Sequence, residues 1–188
     1  MIQPSVPKIQ SAEELYSADH GQDRFELVKG VLIVMSPAGS EHGKIASRIL
    51  IRLGSHVEEQ DLGETFAAET GFLIESDPDT VRAPDAAFVS HKKLSETAQT
   101  SAYLPLAPDL VVEVVSPNDS SSDVEAKAEQ WINAGTQIVL VADPKNETLR
   151  IYQSKSEIQV LRSGETFSSG DVCNNWQLDV DDVFKIRS

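Results

Sequence analysis

The run Leu110-Val111-Val112-Glu113-Val114-Val115 is the strongest strand signal in this chain of 188 residues. Side chains of a strand alternate between two faces, and both faces are apolar here except at Glu113. A strand that is apolar on both faces is typical of the centre of a sheet covered on both sides. A carboxylate in such a strand is costly to bury unless it is paired or binds a metal. Glu113 is therefore either half of a structural ion pair or part of a functional site.

The segment that follows predicts a helix and a second buried strand. Ser122-x-x-Glu125 has the spacing of a capping box, and it predicts a helix that runs to about Ala134 and ends at Gly135 in the left-handed conformation. The apolar run 137–142 predicts the next strand.

Lys127 lies on the apolar face of this helix, four residues before Trp131. A lysine there needs an anionic partner, and Glu113 on the preceding strand is within reach of the inner face of the helix. The alternative is that Lys127 extends past Trp131 to water.

The rest of the chain predicts one mixed α/β domain over residues 1–188, with residues 1–10 as a loose arm. Apolar residues at spacings of three and four predict a long helix over about 40–59, and Ser11-x-x-Glu14 predicts a short one over 12–18. Further strands are expected over 64–74 and 85–89, and hairpins over 24–35 and over 149–153 with 158–161; residues 90–105 are expected to form a loop.

Composition and charge exclude several classes of protein. With 40% hydrophobic and 24% charged residues, a packed core is expected rather than disorder. No apolar run is long enough to span a membrane, and no secretory signal is expected at the N-terminus. The single cysteine, Cys173, fits a reducing, cytoplasmic location. The net charge of −14 argues against non-specific coating of DNA, although it permits a local site that a metal screens.

Asp85 follows Pro84 at the start of a short strand, 28 residues before Glu113. Two carboxylates at adjacent strand ends form a hard-oxygen pair suited to Mg²⁺. The alternative is an aspartate that caps a turn. Asp109 lies about 13 Å from Glu113 along one extended strand, too far to share a metal, so we interpret it as a turn residue.

Several other polar residues are weaker candidates. His42 lies on the inward stripe of the long helix and is interpreted as a core residue or a contact of the site residues, with a ligand as the alternative. Glu69 either reaches the same site or faces water, and Glu26, also in a strand, is more ambiguous. Arg48 belongs to a basic stripe with Lys44 and Arg52, which is either a solvated face or an edge that guides phosphate. The chain has no dinucleotide-binding glycine motif, Walker loop, serine-hydrolase elbow or zinc-protease motif.

Five segments of the chain carry a resemblance to a known family: Glu26-Leu27-Val28-Lys29-Gly30, Glu41-His42-Gly43, Glu69-Thr70-Gly71-Phe72, residues 82–89 and residues 107–117. Lys127, Gly135 and residues 141–144 continue the match. The block ending at residues 113–117 is specific, and the order and spacing of the other segments strengthen it. Through these segments, from about residue 22 to 184, the chain resembles the Uma-two family of restriction-endonuclease-like proteins.

This resemblance implies the fold of the PD-(D/E)xK nuclease superfamily: a restriction-endonuclease-like mixed sheet flanked by helices, with extra hairpins at both ends. It implies that Asp85 and Glu113 hold Mg²⁺, or alternatively Mn²⁺, and that Lys127 completes a catalytic site for phosphodiester hydrolysis. The usual lysine of the superfamily would fall at Val115, and the family pattern supplies the amine from the helix instead. Trp131 replaces the tyrosine that is common in the family.

The implied substrate is nucleic acid, with DNA favoured, and the implied assembly is a homodimer. His42, Glu69 and Arg48 are candidates to support the site or contact the substrate. The competing hypotheses are an inactive binding or assembly module with a nuclease fold, which Val115 and the negative charge favour, and a hydrolase of small phosphate compounds.

Overall fold

The computed structural model describes residues 9–18, 24–97 and 102–185. Its centre is a six-stranded mixed sheet in which one neighbouring pair is parallel and the others are antiparallel. In spatial order the strands are β10 (Ile158–Leu161), β9 (Thr148–Tyr152), β8 (Ile138–Asp143), β7 (Leu110–Val114), β6 (Ala86–Ser90) and β3 (Gly63–Ala67).

Strand β7 has the central position that its sequence predicted, since all five of its residues are buried. It pairs in parallel with β8 and antiparallel with β6. Helix α2 (Ser40–Glu59) covers one face of the sheet through a buried stripe. Its bounds match the predicted helix. The buried stripe consists of Ile45, Ile49, Leu53 and Val57.

Helix α4 (Ser121–Asn133) covers the opposite face and connects β7 to β8. The predicted capping box at Ser122 is wrong, because the N-cap is Ser120, whose hydroxyl accepts from the Asp123 N–H at 3.1 Å. The predicted left-handed conformation of Gly135 after the helix is confirmed, since its φ is +104°.

A second, four-stranded sheet stands beside the first. The predicted hairpin is confirmed as β1 (Arg24–Val28) and β2 (Val31–Met35). Strand β5 (Thr80–Arg82) pairs with β1, and β4 (Phe72–Glu75) pairs with β5, so that β2 is an edge strand.

The single strand predicted over 64–74 is wrong. Its first part is β3 in the large sheet and its last part is β4 in the small one. A turn separates them, with Glu69 at a φ of +77°. The predicted loop 90–105 contains a short helix, α3 (His91–Ser95), and its residues 98–101 lie outside the described part.

The chain ends pack against these two sheets. Helix α1 (Ala12–Ser17) has the predicted capping box at Ser11. Most of the predicted arm lies outside the described residues, but Ile9 is buried beside α1. The hairpin expected over 149–161 is confirmed as β9 and β10. The last elements are β11 (Thr166–Ser168), a 3₁₀ turn (Gly170–Cys173), β12 (Gln177–Asp179) and α5 (Val180–Phe184).

None of the helices in the described part is long and apolar enough to cross a membrane.

Candidate active site

A cleft of about 610 Å³ opens where the two sheets meet. Its walls come from the β1–β2 hairpin, the first turn of α2, the segment before β6, the end of β7 and the first half of α4. The residues predicted for a site from different parts of the sequence, His42, Asp85, Glu113 and Lys127, all line this cleft.

Glu113 is buried within β7, and both of its carboxylate oxygens accept hydrogen bonds from α4. The Nζ atom of Lys127 donates to Oε2 at 2.9 Å, and Nε1 of Trp131 donates to Oε1 at 2.8 Å. The two donors lie one helical turn apart on the face that α4 packs against the sheet. The pattern of strand and helix predicted the contact with Lys127, and Trp131 supplies a second donor.

Burial is the main cause that raises the pKa of Glu113 to about 7, and the charges of Asp85 and Glu26 add to it while Lys127 opposes it. The attraction of Lys127 therefore compensates only part of the negative charge at this end of β7. A cation would find a favourable place there.

Asp85 is fixed to the same strand by two backbone contacts. Its N–H donates to the carbonyl of Val112 at 3.1 Å, and its Oδ2 accepts from the Val114 N–H at 2.8 Å. Since Val112 and Val114 flank Glu113, these bonds hold the two carboxyl groups at one end of the sheet.

His42, from the first turn of α2, approaches the same aspartate. Its Nε2 lies 3.1 Å from Oδ2 of Asp85, and its side chain is largely buried. The hydrogen bond with Asp85 raises the pKa of His42, although burial opposes the shift. His42 thus contacts a site residue, as one of its two interpretations held.

Glu26 and Arg82 belong to this site more closely than the sequence indicated. One Glu26 oxygen lies 3.4 Å from Nζ of Lys127 and accepts from the Ala83 N–H at 3.1 Å, while the other forms an ion pair with Arg82. The charges of Lys127 and Arg82 lower the pKa of Glu26 despite its burial, which acts in the opposite direction. The sequence carried one indication of Glu26, since it is a charged residue in an apolar strand, as Glu113 is.

Two weaker candidates lie farther from the carboxylates. Glu69 lies on an exposed turn at the mouth of the cleft and forms an ion pair with Arg24 of β1. Arg48 does not line the cleft, since its guanidinium donates to the backbone carbonyl of Val183 at 2.9 Å. In the same basic stripe, Arg52 pairs with Asp182, so two of its three side chains contact the C-terminal segment.

Asp109 is more than the turn residue that the sequence suggested. It is buried just before β7, and its carboxylate accepts from the Ser90 N–H at 2.8 Å, from Lys93 at 2.9 Å and from Gln137 at 3.0 Å. These contacts join the starts of three neighbouring segments. Asp109 does not line the cleft.

The metal-binding atoms that the cleft offers are carboxylate oxygens. Within residues 9–18, 24–97 and 102–185, no three His, Cys, Asp or Glu side chains come together as a set able to hold a metal ion. Asp85 and Glu113 supply two carboxylates. Mg²⁺ is usually bound through one or two carboxylates, with water and substrate phosphates as its other ligands. The site therefore fits Mg²⁺ better than a metal that needs an all-protein cage.

Comparison with a solved structure defines the class of fold. The chain superposes with a TM-score of 0.78 on a structure from Anabaena variabilis ATCC 29413, described as "a putative nuclease belonging to DUF820". The two sequences are 20% identical, and the match covers 93% of this chain and 97% of the other. The expected nuclease fold, a mixed sheet flanked by helices, is confirmed.

The chain belongs to the Uma2 family, described as "Putative restriction endonuclease", which matches residues 10–181. This confirms the resemblance seen in the sequence. No curated protein matches the chain.

Proposed function

We propose that the chain is a Mg²⁺-dependent endonuclease that hydrolyses phosphodiester bonds of nucleic acid, with DNA as its substrate. Membership of the Uma2 family supports the general class. The observation that carries the proposal is the convergence of Asp85, Glu113 and Lys127 at one end of the central strand.

Asp85 and Glu113 would hold the metal, and their carboxylates supply the hard oxygen atoms that Mg²⁺ prefers. Bound there, Mg²⁺ would polarise the scissile phosphate and lower the pKa of a bound water. Mn²⁺ is the alternative ion for the same donors.

Lys127 acts in this proposal as a hydrogen-bond donor and a positive charge. Burial alone would lower its pKa, but the neighbouring carboxylates of Glu113 and Glu26 outweigh burial and raise it. A lysine that stays protonated does not serve as a general base. It orients a nucleophilic water or offsets negative charge that develops on the phosphate in the transition state.

His42 and Glu26 hold these groups in place. His42 fixes the orientation of Asp85 through its Nε2 atom. Glu26 binds Lys127 and also the backbone N–H of Ala83, two residues before Asp85. The amine and the metal-binding aspartate are therefore tied to one buried carboxylate.

The direct test is cleavage of plasmid DNA with and without Mg²⁺. Asp85→Asn is expected to abolish Mg²⁺-dependent cleavage, and Lys127→Met is expected to reduce it strongly. Lys93→Met is the matched control. Lys93 also forms an ion pair with a buried carboxylate, that of Asp109 at 2.9 Å, but it lies outside the cleft. Cleavage that survives in Asp85→Asn, or is lost equally in Lys93→Met, would contradict the assignment.

The second candidate is an inactive binding or assembly module that has kept the nuclease fold. Val115, where the superfamily usually has its lysine, and the net charge of −14 favour it. Calorimetric titration with Mg²⁺ separates the two hypotheses. A nuclease should bind the ion in the wild type and not in Glu113→Ala, whereas a module with no metal site should show no difference.

A homodimer and a cytoplasmic location complete the proposal. A dimer would supply one site for each strand of a duplex. Cys173 is a buried free thiol, as expected for a reducing compartment. Light scattering coupled to size-exclusion chromatography measures the assembly, and a monomeric mass at micromolar concentration would contradict the dimer.

A further inference from the structure

The cleft has an apolar wall beside its charged residues. The wall consists of Ile33 and Met35 on the edge strand β2, and both side chains line the cleft. They are 37% and 36% exposed, so part of each side chain is accessible to a ligand in the cleft. The proposed reaction, in which a metal and Lys127 act on the phosphate, does not involve such a surface.

The register of the hairpin places this wall next to the charged residues. Ile33 pairs with Glu26 and Met35 pairs with Arg24 across the two strands. Directly opposite side chains of an antiparallel pair have Cβ atoms about 4.5–5.5 Å apart. The wall therefore begins one strand away from the carboxylate that contacts Lys127.

The charges of the cleft are poorly suited to a continuous duplex. Among the described lining residues, six are Asp or Glu and three are Lys or Arg. Each of the three cations already forms an ion pair: Arg24 with Glu69, Arg82 with Glu26 and Lys127 with Glu113. Proteins that bind a duplex gain much of their affinity by neutralising many phosphates with Lys and Arg. Apolar contact must supply a larger share of the affinity here.

We infer that the apolar wall receives an unpaired nucleobase, so that the preferred substrate is single-stranded rather than duplex nucleic acid. This inference rests on the proposed function, since it places the phosphate next to the base at Asp85, Glu113 and Lys127. A base within a duplex is stacked and paired, and it leaves the stack only at an energetic cost. In a single strand the base is free to lie against Ile33 and Met35, since apolar side chains can receive a base that is out of the stack.

Binding is measured by fluorescence anisotropy, with Ca²⁺ in place of Mg²⁺ and the integrity of each strand verified on a gel. The probes are a labelled single strand, its duplex, the same strand with one abasic position, and an isolated dinucleotide. The test variant is Ile33→Ser/Met35→Ser. The control is Val34→Ser, since Val34 is 64% exposed on the same strand but does not line the cleft. Thermal melting verifies that each variant folds.

The single strand is expected to bind the wild type and Val34→Ser about 10-fold more tightly than the duplex, and the double variant should lose this preference. The abasic position should weaken binding to the wild type and to Val34→Ser, and should not change binding to the double variant. Equal or tighter binding of the duplex, or a preference retained by the double variant, would overturn the inference. If the dinucleotide binds as tightly as the single strand, the inference is wrong and the site is one for small nucleotide diesters.

Failure of this inference differs from failure of the proposed function. Single-strand binding that depends on the wall, without cleavage by the wild type, removes the nuclease and leaves the wall assignment. If duplex cleavage requires Asp85 and Lys127 but is the same in the wall variants, the proposed function stands and the wall assignment is wrong.

Discussion

The Nζ atom of Lys127 lies 2.9 Å from Oε2 of Glu113, joining the helix over one face of the sheet to its central strand. Glu113 is nearly inaccessible to solvent, and the side chain of Lys127 is 21% exposed. Removing one partner of such a pair leaves the other charge buried without compensation. The contact is thus expected to contribute to stability as well as to the proposed chemistry.

Replacing Lys127 by Met should lower the free energy of unfolding by about 3 kcal/mol, because Glu113 then keeps only Trp131 as a donor. Urea denaturation at neutral pH measures this effect. The charge-neutral double variant Lys127→Met/Glu113→Gln should recover part of the loss. If the single variant is as stable as the wild type, Lys127 does not stabilise the buried Glu113.

Glu26→Gln should impair both stability and cleavage, although Glu26 was not a leading candidate in the sequence. The change removes the negative charge between Lys127 and Arg82, both of which contact this carboxylate. A loss of about 3 kcal/mol in the free energy of unfolding is expected for a buried partner. The same substitution at the exposed Glu64 of β3 is the control and should change neither property.

Activity separates a positioning role for Glu26 from a purely structural one. At a temperature where the folded fraction of Glu26→Gln matches the wild type, kcat should still fall while KM changes little, because Lys127 has lost one of the groups that orient it. A kcat equal to that of the wild type under these conditions would assign Glu26 to stability alone.

The contact between Glu113 and Lys127 could be predicted because the two residues lie close along the chain. Glu113 and Lys127 are 14 positions apart, on a strand and the helix directly after it, so periodicity alone turned them towards each other. Glu26 and Arg82 are 56 positions apart and meet only because β1 pairs with β5. No local pattern in the sequence indicates that β1 pairs with β5, and the role of Glu26 therefore remained open.

The error over 64–74 has a different cause. The apolar pattern continues through the segment, but the chain passes there from one sheet to the other. Gly71 permits this passage, since an added Cβ would lie 2.3 Å from the ring of Tyr103. The partner that requires a glycine is 32 positions away, and a glycine within an apolar run does not by itself indicate a change of sheet.

Moving the amine to residue 115 should restore part of the activity of Lys127→Met. Residues 113 and 115 are two positions apart, Val115 lines the same cleft, and the nuclease superfamily that the sequence resembles usually has its lysine there. Lys127→Met/Val115→Lys is expected to cleave about 10-fold faster than Lys127→Met in the plasmid assay. The control adds the lysine at Val160, which is 39% exposed on β10 and outside the cleft. Equal rescue by both lysines would mean that added positive charge, and not its position, restores cleavage.

Asp109 should make stability depend on pH independently of the active site. Burial alone would raise its pKa, but hydrogen bonds from the Ser90 backbone and Lys93 outweigh burial and lower it below the ordinary value of 3.8. An acid with a lowered pKa in the folded state stabilises the fold above about pH 4, and this contribution disappears as the pH falls through the lowered value.

Asp109→Asn should therefore reduce the free energy of unfolding by about 2 kcal/mol at pH 7, a typical value for hydrogen bonds to a charged group. The difference from the wild type should shrink as the pH falls below about 4, because the carboxyl of the unfolded state is protonated first and that of the folded state follows as the pH falls through its lowered pKa. Urea denaturation across this range measures both effects, with Asp171→Asn on the exposed 3₁₀ turn as the control. A difference that stays constant from pH 7 to pH 3 would show that the amide fails for steric reasons rather than for lack of charge.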